Sequence, residues 1–264
     1  MTGSMRRLVR GFQIQARSIR ALVIRDMMLR YGRNNIGFFW VIVEPMILTA
    51  GVLFMFSIIK SQYEHGTHVL SMVLTGYMPL TLWRHTSNLG VGLLQRSAGV
   101  LYHRNITALD VFLSRMILEG LGTTAALAFV YAVLWVAGIV APIAKPGHLI
   151  AAWLLLWWLG GSIALIVAAL TEGSEVAERF VQPFQYLTVP LSGVFFMVDW
   201  LPQRAQQVIV YNPITNCIEF FREGFFGDAV RTYHDAGYVV LVTLFLSLIG
   251  LMLLEWAKAK RSPA

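Results

Sequence analysis

The chain has 264 residues, 57% hydrophobic and 13% charged, with a net charge of +7 and a mean hydropathy of +0.64. Soluble domains hold about a quarter charged residues, so this composition excludes an ordinary soluble fold and suits a membrane bundle. One cysteine excludes an intrachain disulfide framework, and the length suits about six helices of ~20 residues with their connections.

Residues 1–36 are Arg-rich and lack a continuous apolar stretch, so no cleavable signal peptide is expected. Residues 5–33 predict an amphipathic helix lying in the membrane interface. Arg6, Arg10, Gln13, Arg17 and Arg20 recur at helical spacing, while Leu8, Phe12, Ile19 and Leu22 line the other side. Asp26 and Arg30 stand at i,i+4, a spacing that allows them to pair. Such a helix is either a topological anchor or a cuff framing a lateral entrance for an anionic, lipid-linked substrate. In the second case Arg30 and Arg33 lie at the entrance.

Six apolar stretches follow at about 37–59, 69–94, 116–140, 149–170, 181–199 and 237–256. Together they make a membrane domain of 37–256, with 257–264 as a tail. No internal repeat relates the two halves, which speaks against an inverted-repeat transporter. With the N-terminus inside, 15 of the 21 Lys and Arg residues fall on the inner side and five on the outer, and Arg84 lies within the second stretch. The positive-inside rule then places both termini in the cytoplasm. These basic residues border membrane spans, so they match anionic lipid headgroups, and no nucleic-acid partner is expected.

In the first stretch Glu44 precedes Pro45, where a helix bends. A carboxylate at that depth costs a few kcal/mol unless it faces protein or water. Glu44 therefore caps freed backbone groups, pairs with a neighbouring helix, or touches the transported molecule. The inner half of the second stretch is polar, reading Arg84-His85-Thr86-Ser87-Asn88. An Arg near the bilayer centre costs ~2.5–3.5 kcal/mol on insertion scales, which rules out lipid exposure. This face is expected to line a cavity or subunit seam, or else to hold a buried pair, and Arg84 is expected to bind an anionic linker group of the substrate.

The inner loop 95–115 contains Gln95 and a short apolar centre, Val100-Leu101-Tyr102, between Arg96 and Arg104. A second inner loop carries Glu172, Glu175 and Glu178 at i,i+3 and reads as a solvated helical turn. The outer segment 199–236 holds Asn212-Pro213, a helix start in which Asn caps and Pro takes the first position. Beyond it Ile214, Cys217, Ile218, Phe221 and Phe225 form an apolar stripe beside Thr215, Glu219, Arg222 and Glu223. Gly224 or Gly227 ends this helix, which at about three turns is too short to cross and re-enters the membrane over about 200–230.

Aromatic faces pack against the C–H faces of sugars, and Tyr and Trp add hydrogen bonds. Phe38, Phe39, Trp40, Tyr77, Trp83, Tyr186, Phe195 and Phe196, with His85 beside Arg84, are the candidates for a sliding surface, and ordinary helix packing is the plain alternative. An ATP site needs G-x-x-x-x-G-K-[ST]; only Lys60 precedes Ser or Thr, and Ile59 stands where Gly is required. No nucleotide cofactor is therefore expected on this chain. His65 and His68 have H-x-x-H spacing without further ligands, so no metal is expected either. An ion-coupled transporter using Glu44, Glu119 and Arg84, and a membrane transferase acting on lipid-linked sugars, are the rival classes.

Several motifs occur together. They are Arg30-Tyr31-Gly32-Arg33, Gly37-Phe38-Phe39-Trp40 and Glu44-Pro45; then Leu74-Thr75-Gly76-Tyr77-Met78-Pro79; then Tyr211-Asn212-Pro213 and Glu219-Phe220-Phe221-Arg222-Glu223. In this order, across essentially the whole chain, the sequence resembles ABC-type polysaccharide export permeases, the KpsM-type capsule exporters and their O-antigen (Wzm-type) relatives. The resemblance implies an all-α integral membrane protein of the ABC type 2 exporter fold. Its parts would be six transmembrane helices, the N-terminal amphipathic interface helix, a cytoplasmic coupling helix, and re-entrant periplasmic helices before the last span.

By the same resemblance, Gln95, Arg96, Val100, Leu101, Tyr102 and Arg104 dock on a separate P-loop ATPase that binds ATP and Mg. Tyr211, Asn212, Glu219, Arg222 and Glu223 belong to the periplasmic gate. The implied assembly is a homodimer with two ATPase subunits in the bacterial inner membrane, meeting periplasmic and outer-membrane export components. The implied substrate is a lipid-linked capsular polysaccharide, with an O-antigen or teichoic-acid-like polymer as alternatives. Arg84 departs from the small or aromatic residues expected at that depth in the family.

Overall fold

The computed structural model describes residues 3–31, 36–59, 63–64, 67–101 and 106–261; among them the side chains of 3–10, 29–31, 36–39, 41, 63–64 and 261 are not described. Helix α1, Gly3–Tyr31, is the expected N-terminal helix. Leu22 and Asp26 are buried against the bundle, whereas Phe12 and Met28 are exposed. Helix α2, Ile36–Ile59, contains Pro45, whose missing N–H leaves a gap in the helical ladder. Thr49 Oγ1 donates to Pro45 O at 2.8 Å within this turn. A two-residue antiparallel pair, Tyr63–Glu64 with Thr67–His68, leads into α3, Val69–Asn88. His68 Nδ1 caps α3 by accepting from Leu70 N at 3.3 Å; His65 lies outside the described residues.

Helix α3 lies at the centre of the bundle. Fifteen of its twenty residues are buried, and it packs against α2 and against α6 (Ala108–Val136), α7 (Pro146–Leu170) and α10 (Pro213–Phe226). Close approach requires glycine at two places. A Cβ on Gly76 would sit 2.1 Å from Val194 O, and one on Gly90 2.0 Å from Ala164 O. Two short helical turns, α4 (Leu93–Arg96) and α5 (Ala98–Leu101), follow α3, with Gly92 in the left-handed region at φ 58°. Thr107 and Asp110 form a capping box that starts α6. The core has two parts. One surrounds Leu74, Met78, Trp83, Leu156 and Phe221, and the other joins Leu22, Leu93, Phe112, Leu165 and Leu254 near α4 and α5.

Helix α8, Glu175–Thr188, starts on Ser174, whose side chain accepts from Ala177 N. After α8 come turns through Gly193 (φ 76°) and a 3-10 turn, Val198–Trp200. Helix α9, Gln203–Ile209, precedes α10, and α11, Ala236–Arg261, ends the chain. Among the described residues, four helices are long and apolar enough to cross a membrane: Ile42–Ile59, Ala108–Val136, Pro146–Leu170 and Ala236–Lys260.

The second and fifth of the expected six spans depart from the sequence expectation. Helix α3 is polar at one end, and its neighbours shield it from lipid, so it does not need a fully apolar composition. The fifth was expected at 181–199, but the helix occupies Glu175–Thr188 and the chain turns thereafter. The shift follows from the Ser174 cap, which starts the helix earlier, and from Pro190 and Gly193, which break it before 199. On α8 only Gln185 is buried; Val176, Phe180, Phe184, Leu187 and, beyond its end, Leu191 form an exposed apolar stripe.

Candidate functional site

The polar end of α3 meets α8 along a seam at the edge of the apolar bundle. The Arg84 guanidinium lies 4.9 Å from the Tyr186 ring centroid, and Gln185 Nε2 donates to Ser87 Oγ at 2.8 Å. On another side of α3, His85 Nδ1 meets Glu119 Oε2 at 3.2 Å. Several buried polar atoms here have no hydrogen-bond partner among the described residues: Trp83 Nε1, Arg84 Nε, Asn88 Oδ1 and Gln185 Oε1. Buried polar atoms are nearly always paired, so a concentration of unpaired ones marks a place where a polar ligand or water completes the network.

The expected aromatic surface divides in three. Trp83 is 2% exposed and packs in the core, and Tyr77 and Phe196 are half-buried. Trp40, Tyr186 and Phe195 are exposed, and the Phe195 ring stacks on Phe56 at 5.6 Å. The side chains of Arg30, Phe38 and Phe39, and the whole of Arg33, lie outside the described residues. Glu44 is exposed on α2, on the same face as Trp40, Ile47 and Leu48. Asp26 accepts from Arg115 Nε at 3.4 Å across to α6, a partner that the i,i+4 spacing to Arg30 did not reveal. Nearby, Gln15 Nε2 donates to Asp110 Oδ1 at 3.1 Å and ties α1 to the start of α6.

At the opposite end of the bundle, α10 follows its expected pattern. Asn212 caps it through Ile214 N at 3.0 Å, Pro213 takes the first position, and Gly227 at φ 60° follows its last residue. Its polar stripe is a buried frame. Glu219 and Arg222 are wholly buried and paired at 3.2 Å. Arg222 also donates to Phe196 O at 2.7 Å and Val194 O at 3.0 Å, and Glu219 accepts from Val198 N and Tyr233 N. One ion pair thus holds the 194–198 turn and the segment before α11 against α10.

Glu223 forms a second grouping with Lys145 Nζ at 3.1 Å, His148 Nδ1 at 3.3 Å and His234 Nε2, and Lys145 also reaches Asp228 at 2.8 Å. Burial raises the Glu223 carboxyl pKa, but bonds from His234 and Lys145 outweigh it and hold the group below its ordinary value. Bonds to Asp228 and Glu223 raise that of Lys145. Sequence reading missed Lys145, His148 and His234 because they lie far from Glu223 in the chain. Tyr211 is exposed beside this region.

Of the docking segment expected between α3 and α6, Gln95 and Arg96 are exposed, Val100 is buried and Leu101 is half-buried; Tyr102 and Arg104 lie outside the described residues. The corner before α4 is tied to the α7–α8 connection. Gly92 N donates to Thr171 Oγ1 at 3.2 Å, and that hydroxyl also bonds Val167 O at 2.8 Å. The acidic turn that follows carries an exposed Glu175–Arg179 pair at 3.4 Å.

Residues 17–226 match the family model described as ABC-2 type transporter. The chain is similar to the capsule polysaccharide export inner-membrane protein CtrC of Neisseria meningitidis serogroup A, at 36% identity over 238 residues and 90% of each chain. It is similar to the capsule polysaccharide export inner-membrane protein BexB of Haemophilus influenzae at 34% identity, covering 92% of this chain and 91% of that one. Similarity to the polysialic acid transport protein KpsM of Escherichia coli is 25%, over 92% of this chain and 94% of that one.

Proposed function

The chain belongs to the ABC-2 type transporter family, and from that premise we propose that it is the permease subunit of an exporter of lipid-linked capsular polysaccharide in the bacterial inner membrane. Two copies form the conduit, two cytoplasmic P-loop ATPases drive it, and both termini lie in the cytoplasm. The observation that carries this reading is the polar seam of α3 and α8, together with exposed aromatics and a Glu44 exposed on α2. A carboxylate at membrane depth does not face lipid, so this face meets water, substrate or a second copy. Six helices of one chain hardly enclose a sugar polymer, whereas twelve around such a seam do.

In this mechanism the basic α1 frames the entrance and attracts the anionic linker of the substrate. Arg84, held over Tyr186, binds that linker inside, and Asn88 and Gln185 offer free polar atoms to sugar hydroxyls. ATP is bound and hydrolysed on the partner subunit. Closure of the ATPases pushes α4 and α5, and the Gly92–Thr171 bond passes that movement to the start of α8. The tied α10 frame then moves as one body to open the outer end. Affinity purification from membranes tests the assembly: a P-loop ATPase co-purifies with this chain, and its absence overturns the reading.

A further inference from the structure

The outer segment holds a pocket at the rim of the expected gate, with which it shares Tyr211. It lies between α9, the residues before α11 and the first turn of α11, with a volume of about 830 Å³, within the roughly 300–1,000 Å³ of small-ligand sites. Some of its lining serves the fold. Gln206 Nε2 donates to Leu201 O at 2.9 Å, Asn216 Nδ2 to Val210 O at 2.6 Å, and Tyr238 Oη to Tyr211 O at 2.8 Å. These bonds fix the walls.

Other lining groups have no such task. Gln203 and Gln207 project exposed amides from one face of α9, and Tyr211 is 72% exposed. Arg231 lies 5.2 Å over the Tyr233 ring with no ion pair among the described residues, and the carboxylate of Asp235, which also lines the pocket, is engaged by Tyr238 N at 3.0 Å. Planar amides bond vicinal hydroxyls in pairs, a tyrosine face packs on sugar C–H groups, and a guanidinium grips a carboxylate. The geometry points to a subsite for carboxylate-bearing sugar units of the polymer after it leaves the conduit. This inference rests on the export reading above and goes beyond it, because it assigns a holding site for the polymer at the rim of the gate.

The test is photo-crosslinking in capsule-producing cells that lack their own permease and carry the full chain. A benzophenone amino acid replaces Gln207 in one strain and Val208, exposed on α9 but outside the pocket, in another. The expected result is a carbohydrate-bearing adduct at 207 and none at 208, reduced severalfold when Arg231→Gln is added. Normal surface carbohydrate with no adduct at 207, or equal adducts at both positions, overturns the subsite and leaves the export reading standing. Absence of any surface carbohydrate dependent on the chain overturns both. If the 207 variant does not accumulate in membranes, the benzophenone at Gln203 decides by the same outcomes.

Discussion

The α10 frame and the α3–α8 seam are both polar groupings of an apolar bundle, and they differ in how their atoms are paired. In the frame both carboxylate oxygens of Glu219 and both terminal nitrogens of Arg222 have partners, mostly backbone groups of distant segments; Arg222 Nε has none among the described residues. In the seam a half-buried Arg84 rests on an exposed ring, and neighbouring amides keep unpaired atoms. The first arrangement fixes a shape. The second leaves polar atoms unpaired among the described residues, which the proposed binding role would use. Burial of charge alone therefore does not distinguish the two; how many of the charged group's atoms are paired does.

Four measurements break or sharpen this contrast. Arg222→Ala leaves Glu219 buried without its cation and is expected to cost about 3–5 kcal/mol, read as a large fall in the melting midpoint of the purified chain. An unchanged midpoint would remove the frame from the account. Gly76→Ala pushes a methyl into Val194 O and towards Arg222 Nη2, 3.1 Å away, and is expected to cost about 1–3 kcal/mol in the same assay.

Arg84→Gln is expected to do the reverse. Export falls at least about tenfold, while the midpoint moves by no more than the ~1 kcal/mol of a partly exposed cation–π contact. Equal losses of export and stability would show that the seam is structural after all.

The smallest effect concerns Glu223. Its lowered pKa gives stability that is present above the ordinary 4.5 and is lost as pH falls through the folded value. The raised pKa of Lys145 gives stability present below 10.5 and lost as pH rises through its folded value. The midpoint is thus expected to hold above about pH 5 and to decline as pH falls below 4.5. Glu223→Gln should flatten that decline; an identical pH profile in the variant would remove the Glu223 grouping from the account.

Local patterns were legible in the sequence. Composition established a helical membrane protein, the Asn212-Pro213 signal located the start of α10, and the run from Arg84 to Asn88 marked a helix that does not face lipid. These are short-range properties, decided by propensity, capping and the cost of charge in hydrocarbon, and they need no knowledge of neighbours.

Tertiary structure alone decided which polar residues are paired. Glu219 and Arg222 read as a polar stripe beside Glu223, yet they are wholly buried because the 194–198 turn folds over them. Lys145, His148 and His234 gather on Glu223 from separate segments. Trp83 and Tyr186 look alike as aromatic candidates, but one lies in the core and the other on the surface. Periodicity names the face of a helix on which a residue sits; packing decides what covers that face.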